Sequence, residues 1–339
     1  MRVARKTIKH RKIKPLNCNP SVKTPIPRSC MTIEALMLLR DEYNKDHPTN
    51  RIIAEKPVLI WYELKMRLQC EDERCWLGEI DDVAKRNMVK DQLFAPDHPP
   101  NRIIAAKPVL IWYELKMRLQ CEDERCWLGE IDDVAKRNMV KDQLFAPDHP
   151  PEWIKNPLEW LTNIDIDKVM AQYEQKYADF EYLGTTSIDY DFIVDKTRGT
   201  CVEDMLCKFD LAAAGNRGKQ RFAAVFNLDK HDEPGSHWVS IFISVPKKTI
   251  VFFDSANGGV PKEIRRFAKL IQKQDSKYIF ITSKKEHQKK NTECGVYSIH
   301  FIIEMLNDFD KMLEMVMRGN ISDKAMTRYR RKYFNRPNT

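Results

Sequence analysis

Apolar and polar positions alternate most regularly between residues 237 and 254. In His237–Val245, Val239, Ile241, Ile243 and Val245 fall on one face and Ser240 and Ser244 on the other, the period-two pattern of a strand. Lys247-Lys248 marks a turn. Ile250-Val251-Phe252-Phe253 then forms an unbroken apolar run, as in strands covered on both faces. Further strands are predicted at Arg221–Leu228, Thr249–Asp254 and Tyr278–Thr282, with Leu183–Val194 extended or loop. Helical periodicity follows Pro261, where Ile264, Phe267, Ala268 and Ile271 share a face opposite Lys262, Arg265, Arg266 and Lys269. A second helix starts at Asp165, read as its N-cap, with Ile166, Val169, Met170, Tyr173 and Tyr177 in register. From Val296 to Leu306 the chain is apolar nearly all round, which predicts a helix buried in a core, starting near Cys294 and capped by Asn291 or Thr292. Closing helices are expected at Lys311–Met317 and Ser322–Phe334. A mixed sheet with helices segregated around it is an α+β arrangement.

The part before residue 152 has a different character. Asn50–Pro100 and Asn101–Pro151 are the same sequence, except that Glu55 becomes Ala106. Copies of an old structural repeat diverge while keeping their core pattern, so identity of this degree points to a recent tandem duplication or an error in the recorded sequence. Each copy reads as two helices, one after Pro57 or Pro108 and one from Trp76 or Trp127, with Ile131, Val134 and Ala135 in register in the second copy. With a short helix at Thr32–Tyr43, residues 32–151 make a helical arm, and 152–339 a separate catalytic domain.

Charge is uneven. The chain carries +8 overall, yet residues 1–31 hold nine Lys or Arg and no acid, leaving the remainder close to neutral. Pro15, Pro20, Pro25 and Pro27 oppose helix there, so a disordered tail is expected. It reads equally as an arm for nucleic acid, a nuclear-targeting patch or a solubilising extension. Nine cysteines with no secretory leader predict reduced thiols, although one bridge stays open to them. No apolar run approaches membrane-spanning length, so no membrane partner is expected. Cys70-x4-Cys75 and Cys121-x4-Cys126 do not supply four ligands in one copy, and no metal or other cofactor is expected.

The chemistry lies in three short segments: His237-Trp238, Phe253-Asp254-Ser255 and Gln288…Thr292-Glu293-Cys294-Gly295. A thiol is a nucleophile only as thiolate, which requires a proton acceptor or cation nearby and gains from a helix N-terminus. Cys294 is placed to begin the apolar helix. His237 opens one strand and Asp254 closes its hairpin partner, so carboxylate and imidazole meet at one sheet end, where Asp254 can fix the ring tautomer. Gln288 is the candidate side-chain donor to an oxyanion, with the Cys294 N–H as the second. Taken singly, each residue has a bland reading: a strand-end histidine, a turn aspartate, a buried thiol, a surface glutamine. His300 reads as a core histidine, and His231 and His287 as loop residues.

In order and spacing, these motifs resemble the clan of ubiquitin-like-protein (SUMO) proteases and adenovirus-type proteases. The wording Phe253-Asp254-Ser255-Ala256-Asn257-Gly258 and Thr292-Glu293-Cys294-Gly295-Val296-Tyr297-Ser298 is similar to thiol proteases of nucleocytoplasmic large DNA viruses, of the African swine fever virus polyprotein protease type. The resemblance spans roughly 152–335, including Trp160-Leu161-Thr162-Asn163. It implies a papain-like catalytic domain, a Cys294–His237–Asp254 triad with Gln288 at the oxyanion, and a narrow passage walled by Trp160 and Trp238 that admits glycines.

The implied activity is a viral cysteine endopeptidase cutting Gly-Gly-x sites in virion structural or core precursors. Virion and host cytoplasm are the implied locations, with the nucleus as an alternative. Removal of ubiquitin-like modifiers would use the same site. A non-catalytic nucleic-acid-binding virion protein is the reading from another class; an intact set of four site residues argues against it.

Overall fold

The computed structural model describes residues 108–336 apart from Glu122, together with Cys18–Ser21 and a few positions between 38 and 49. The first duplicated copy, most of the basic tail and most of the helix expected at Thr32–Tyr43 lie outside the described residues. The chain divides into two compact units, one containing 108–145 and the other 19–21 with 146–336.

In the first unit, α1 (Pro108–Leu119) and α2 (Val134–Leu144) flank a 3-10 turn at Glu124–Glu130. The single helix expected from Trp127 is therefore broken. Asp133 caps α2 by accepting the Lys136 N–H, which starts a new helix instead of continuing the old one. Val134, expected on the inner face, is 61% exposed, while Ile131, Val140 and Leu144 join Ile111, Leu115 and Trp127 in a small core.

The second unit carries the sheet. Its α3 (Asn163–Lys176) is capped by Thr162, not by Asp165; the Asp165 carboxylate instead accepts the Thr162 N–H, completing a capping box. Then come β1 (Phe180–Ser187), β2 (Ile193–Asp195), β3 (Thr200–Cys201), short α4 (Asp204–Cys207) and α5 (Leu211–Asn216), and β4 (Arg221–Asn227). The chain continues through β5 (Trp238–Ser244), β6 (Thr249–Phe253), α6 (Lys262–Gln274) and β7 (Ile279–Thr282). It closes with α7 (Cys294–Asn307), α8 (Phe309–Arg318) and α9 (Asp323–Tyr333).

Five strands form one mixed sheet in the order β1-β4-β5-β6-β7. The central pairs are antiparallel and the outer pairs, β1 with β4 and β6 with β7, are parallel. The segment read as extended or loop thus contributes an edge strand.

Alternation along the central strands explains how both sheet faces are buried. Ala223 and Val225 of β4 and Val251 and Phe253 of β6 share a core with α7, α3, α8 and α9. Phe222, Ala224 and Phe226, Val239, Ile241 and Ile243, and Ile250 and Phe252 share another with Ile264, Phe267, Ala268 and Ile271 of α6. β5 is buried along its whole length, so Ser240 and Ser244 are enclosed, not solvated. The register Ser240↔Phe253 brings the start of β5 beside the end of β6.

Cys201 and Cys207, six residues apart in a tight local turn, form a disulfide, the one bridge that the cysteine count left open. Cys294 is free and buried.

Candidate active site

His237 directly precedes β5 and Asp254 directly follows β6. The ring Nε2 lies 2.8 Å from Asp254 Oδ1. The carboxylate is held from the other side by its own turn, where the Ala256 N–H donates to Oδ1 at 2.9 Å and the Gly258 N–H to Oδ2 at 2.6 Å. Asn257, in that turn, has φ +54°, a left-handed conformation that asparagine tolerates better than most residues. Burial opposes charge on Asp254, but the His237 hydrogen bond and charge and these two N–H groups hold its carboxyl below the usual range.

Nε2 being taken by Asp254, Nδ1 is the nitrogen left for the thiol, and the Cys294 sulfur lies close enough to act electrostatically on the ring. Burial works against a charged ring here as well. The Asp254 hydrogen bond, and then the neighbouring Cys294 sulfur, outweigh it and raise the imidazole to about 9.

Cys294 is the first residue of α7 and 2% exposed. Neither Asn291 nor Thr292 caps this helix. The residue before it is Glu293, which makes no capping bond because its carboxylate is turned to Arg330. The first-turn N–H groups are therefore uncapped by any side chain and aimed at the sulfur end of the site, where they favour negative charge. Gly295 is needed for close approach, since a Cβ there would lie 3.1 Å from Leu161 Cβ and 3.3 Å from Trp238 Cδ1.

Gln288 is buried and lines, with His237, Trp160, Ser236 and Ala256, a cleft of about 330 Å³. Its Nε2 donates to the Lys290 carbonyl. A carbonyl only accepts, so this contact fixes the amide orientation and leaves the second amide hydrogen for another acceptor. The Ser255 hydroxyl donates to Oε1 at 2.7 Å, and the Ser255 carbonyl accepts the N–H groups of His287 and Gln288 at 2.8 Å each.

Trp160 is 37% exposed at the cleft edge. Trp238 is not at that edge: it is buried, with its indole N–H donating to the Leu161 carbonyl at 2.9 Å, so it supports the Trp160-Leu161 segment from behind.

Several residues that the sequence did not single out organise the site. Arg330 of α9 donates to Glu293 at 2.8 Å, to the Thr292 carbonyl at 2.8 Å and to the Glu159 carbonyl at 2.6 Å. One guanidinium thus ties the nucleophile loop to the Trp160 segment, and the Arg330–Glu293 pair is almost wholly buried at 2% and 1% exposure.

His287, expected in a loop, lies in one but is buried: its Nδ1 accepts the Ile321 N–H and its Nε2 faces the Val316 carbonyl at 3.1 Å, which fixes a neutral tautomer. His300 bonds the Tyr333 hydroxyl inside the core, and His231 faces Asp189 at the surface. Among the described residues, Cys201, Asp204 and Cys207 are the group with metal-ligating spacing, and both of its sulfurs are in the disulfide.

A buried thiol on a helix start, an imidazole it shares with a carboxylate, and relatives of known class agree: this chain is a cysteine-type peptidase. Residues 224–338, which carry His237, Asp254, Gln288 and Cys294, match the Ulp1 protease family, C-terminal catalytic domain. A protein of Acanthamoeba polyphaga mimivirus described as a thiol protease is 29% identical over 220 residues, 63% of this chain and 68% of its own. A cysteine protease of African swine fever virus (strain Badajoz 1971 Vero-adapted) is 25% identical over 252 residues, 67% of this chain and 88% of its own. The crystal structure of the African swine fever virus protease is similar in fold, with a TM-score of 0.54 at 18% identity over 96% of this chain and 97% of that one.

Proposed function

We infer that the chain is an endopeptidase acting through Cys294, His237 and Asp254, on protein substrates with a Gly-Gly-x site. The observation carrying this reading is the His237 ring, held by Asp254 at Nε2 and left with its other nitrogen for the neighbouring Cys294 sulfur. With the ring raised to about 9, the imidazolium form stays populated beside the sulfur at neutral pH. The sulfur attacks the substrate carbonyl carbon, forming the C–S bond. The oxygen becomes anionic against the Cys294 N–H and the free Gln288 amide hydrogen.

Collapse of that intermediate breaks the C–N bond, and His237 gives its proton to the departing amine. The neutral ring then takes a proton from water, whose oxygen displaces the sulfur and releases the acid. Trp160 at the cleft edge, with Trp238 behind Leu161, supports a narrow entry suited to glycine. We extend the proposal to a substrate among virion precursors and a location in virions and host cytoplasm.

Cleavage of a Gly-Gly-x peptide by the full chain, followed by mass spectrometry of the new termini, tests this. Cys294→Ala should abolish turnover while leaving the circular dichroism spectrum unchanged. Persisting turnover would remove Cys294 as nucleophile, and preferential release of ubiquitin-like modifiers from conjugates would favour the isopeptidase reading.

A further inference from the structure

Beside the cleft lies a second and larger cavity of about 580 Å³, bounded by the 287–293 loop, the Asn320–Ser322 turn and the first half of α9. Lys289 and Lys290 line both cavities. Five of the residues around the larger one are Lys or Arg and two are acids. Both acids are already engaged. Glu293 binds Arg330 and Thr327, and Asp323 accepts the Lys289 backbone N–H and the Tyr297 hydroxyl.

Lys289 Nζ turns away to Glu286 at 2.7 Å. Lys290, Lys324 and Arg328 are exposed and make no ion pair with a described residue, and Arg331 stands beside them. A concave wall with uncompensated cations presents a positive potential focused into the cavity.

The geometry points to a binding site for an acidic segment of the polypeptide being cut, its Asp or Glu side chains seated in this basin while its glycines occupy the cleft. The inference rests on the proposed peptidase reading and adds a substrate class to it. Continuity favours a polypeptide: a chain leaving the cleft along Lys289 and Lys290 enters the basin directly. The half-open hollow, with Leu158 on its wall, has room for more than one carboxylate side chain. Duplex DNA, with a charge every ~1.7 Å, calls for an extended stripe of cations instead.

Binding is read by fluorescence anisotropy on the full chain carrying Cys294→Ala, so the peptide stays intact. The probes are two peptide sets sharing a Gly-Gly-x core, with three Glu or three Ser in either flank. One Glu set should bind about tenfold tighter than its Ser counterpart at low salt, with the preference fading as ionic strength rises and the Debye length falls to about 8 Å.

Adding Lys324→Glu and Arg328→Glu should bring the Glu-to-Ser ratio to about one, with the fold checked by circular dichroism and Tm. Equal binding of Glu and Ser peptides, or a preference that survives the double substitution, overturns the inference. So does a duplex oligonucleotide that binds more tightly than every peptide and is lost with the same substitutions. Because binding is measured without cleavage, a wild-type chain that cuts no Gly-Gly-x peptide refutes the proposed activity and not this site.

Discussion

His237 and His287 stand near the same cleft-forming loop, and their surroundings push them in opposite directions. Burial disfavours the charged ring in both. His237 is paired with the Asp254 carboxylate and the Cys294 sulfur and is raised to about 9. His287 meets backbone groups alone and lies near Lys285 and Lys289, so its proton affinity falls. His300 behaves like His287: burial, then Lys332, lowers it to about 4. Charge on the partner, and not depth in the protein, separates a reactive imidazole from a structural one.

The sharpest way to break this contrast is Asp254→Asn. Without the carboxylate, His237 should titrate more like His287, and kcat should fall by about 10⁴, as expected when an orienting carboxylate is lost. The descending alkaline limb of kcat/KM, set near 9 by the wild-type ring, should shift toward neutrality. An unshifted limb would show that Asp254 does not tune the ring. The sign for stability follows from the same shift. A raised imidazole contributes stabilisation that is complete below its unfolded value of 6.5 and disappears as pH climbs through about 9.

Arg330→Met asks whether a buried ion pair behaves like the His237 pair. It strands Glu293 without a cation and should cost roughly 3–5 kcal/mol in urea unfolding, with Glu293→Gln added to it recovering part of the loss. Gln288→Ala should lower kcat by about 10²–10³ with little change in KM. An effect confined to KM would speak against an oxyanion role.

For the neutral rings, lowered values mean that the unfolded chain takes up protons first as pH drops below 6.5. Stability should decline from there toward about 4, with at most about 1.4 kcal/mol per pH unit for each ring. A flat denaturation midpoint across that window would contradict the assignment of neutral His287 and His300. The smallest effect is expected from Ser255→Ala, which removes one hydrogen bond to the Gln288 amide, worth about 1 kcal/mol, and should reduce kcat several-fold.

The α+β architecture and the meeting of His237 with Asp254 were legible because both depend on local patterning: period-two alternation, one hairpin and one apolar helix. The ends of elements were less so. Thr162 displaced Asp165 as a cap, and Asp133 broke a helix that periodicity alone would have continued. Glu293 stood in the nucleophile motif without a role of its own. Nothing local could select Arg330, because the pair closes over 37 residues and depends on how α9 packs. The basin is equally non-local, joining a loop before α7 to the face of α9. Trp238 shows the same limit: its residue type could not disclose the hydrogen bond by which it also holds Leu161.

The guanidinium of Arg330 has a temporal implication. Ribosomes deliver the chain in order, at roughly 5–20 residues per second. The nucleophile loop therefore emerges a few seconds ahead of the side chain that fastens it to the tryptophan segment. Until that arginine emerges, Glu293 lacks the counter-ion it has in the folded protein.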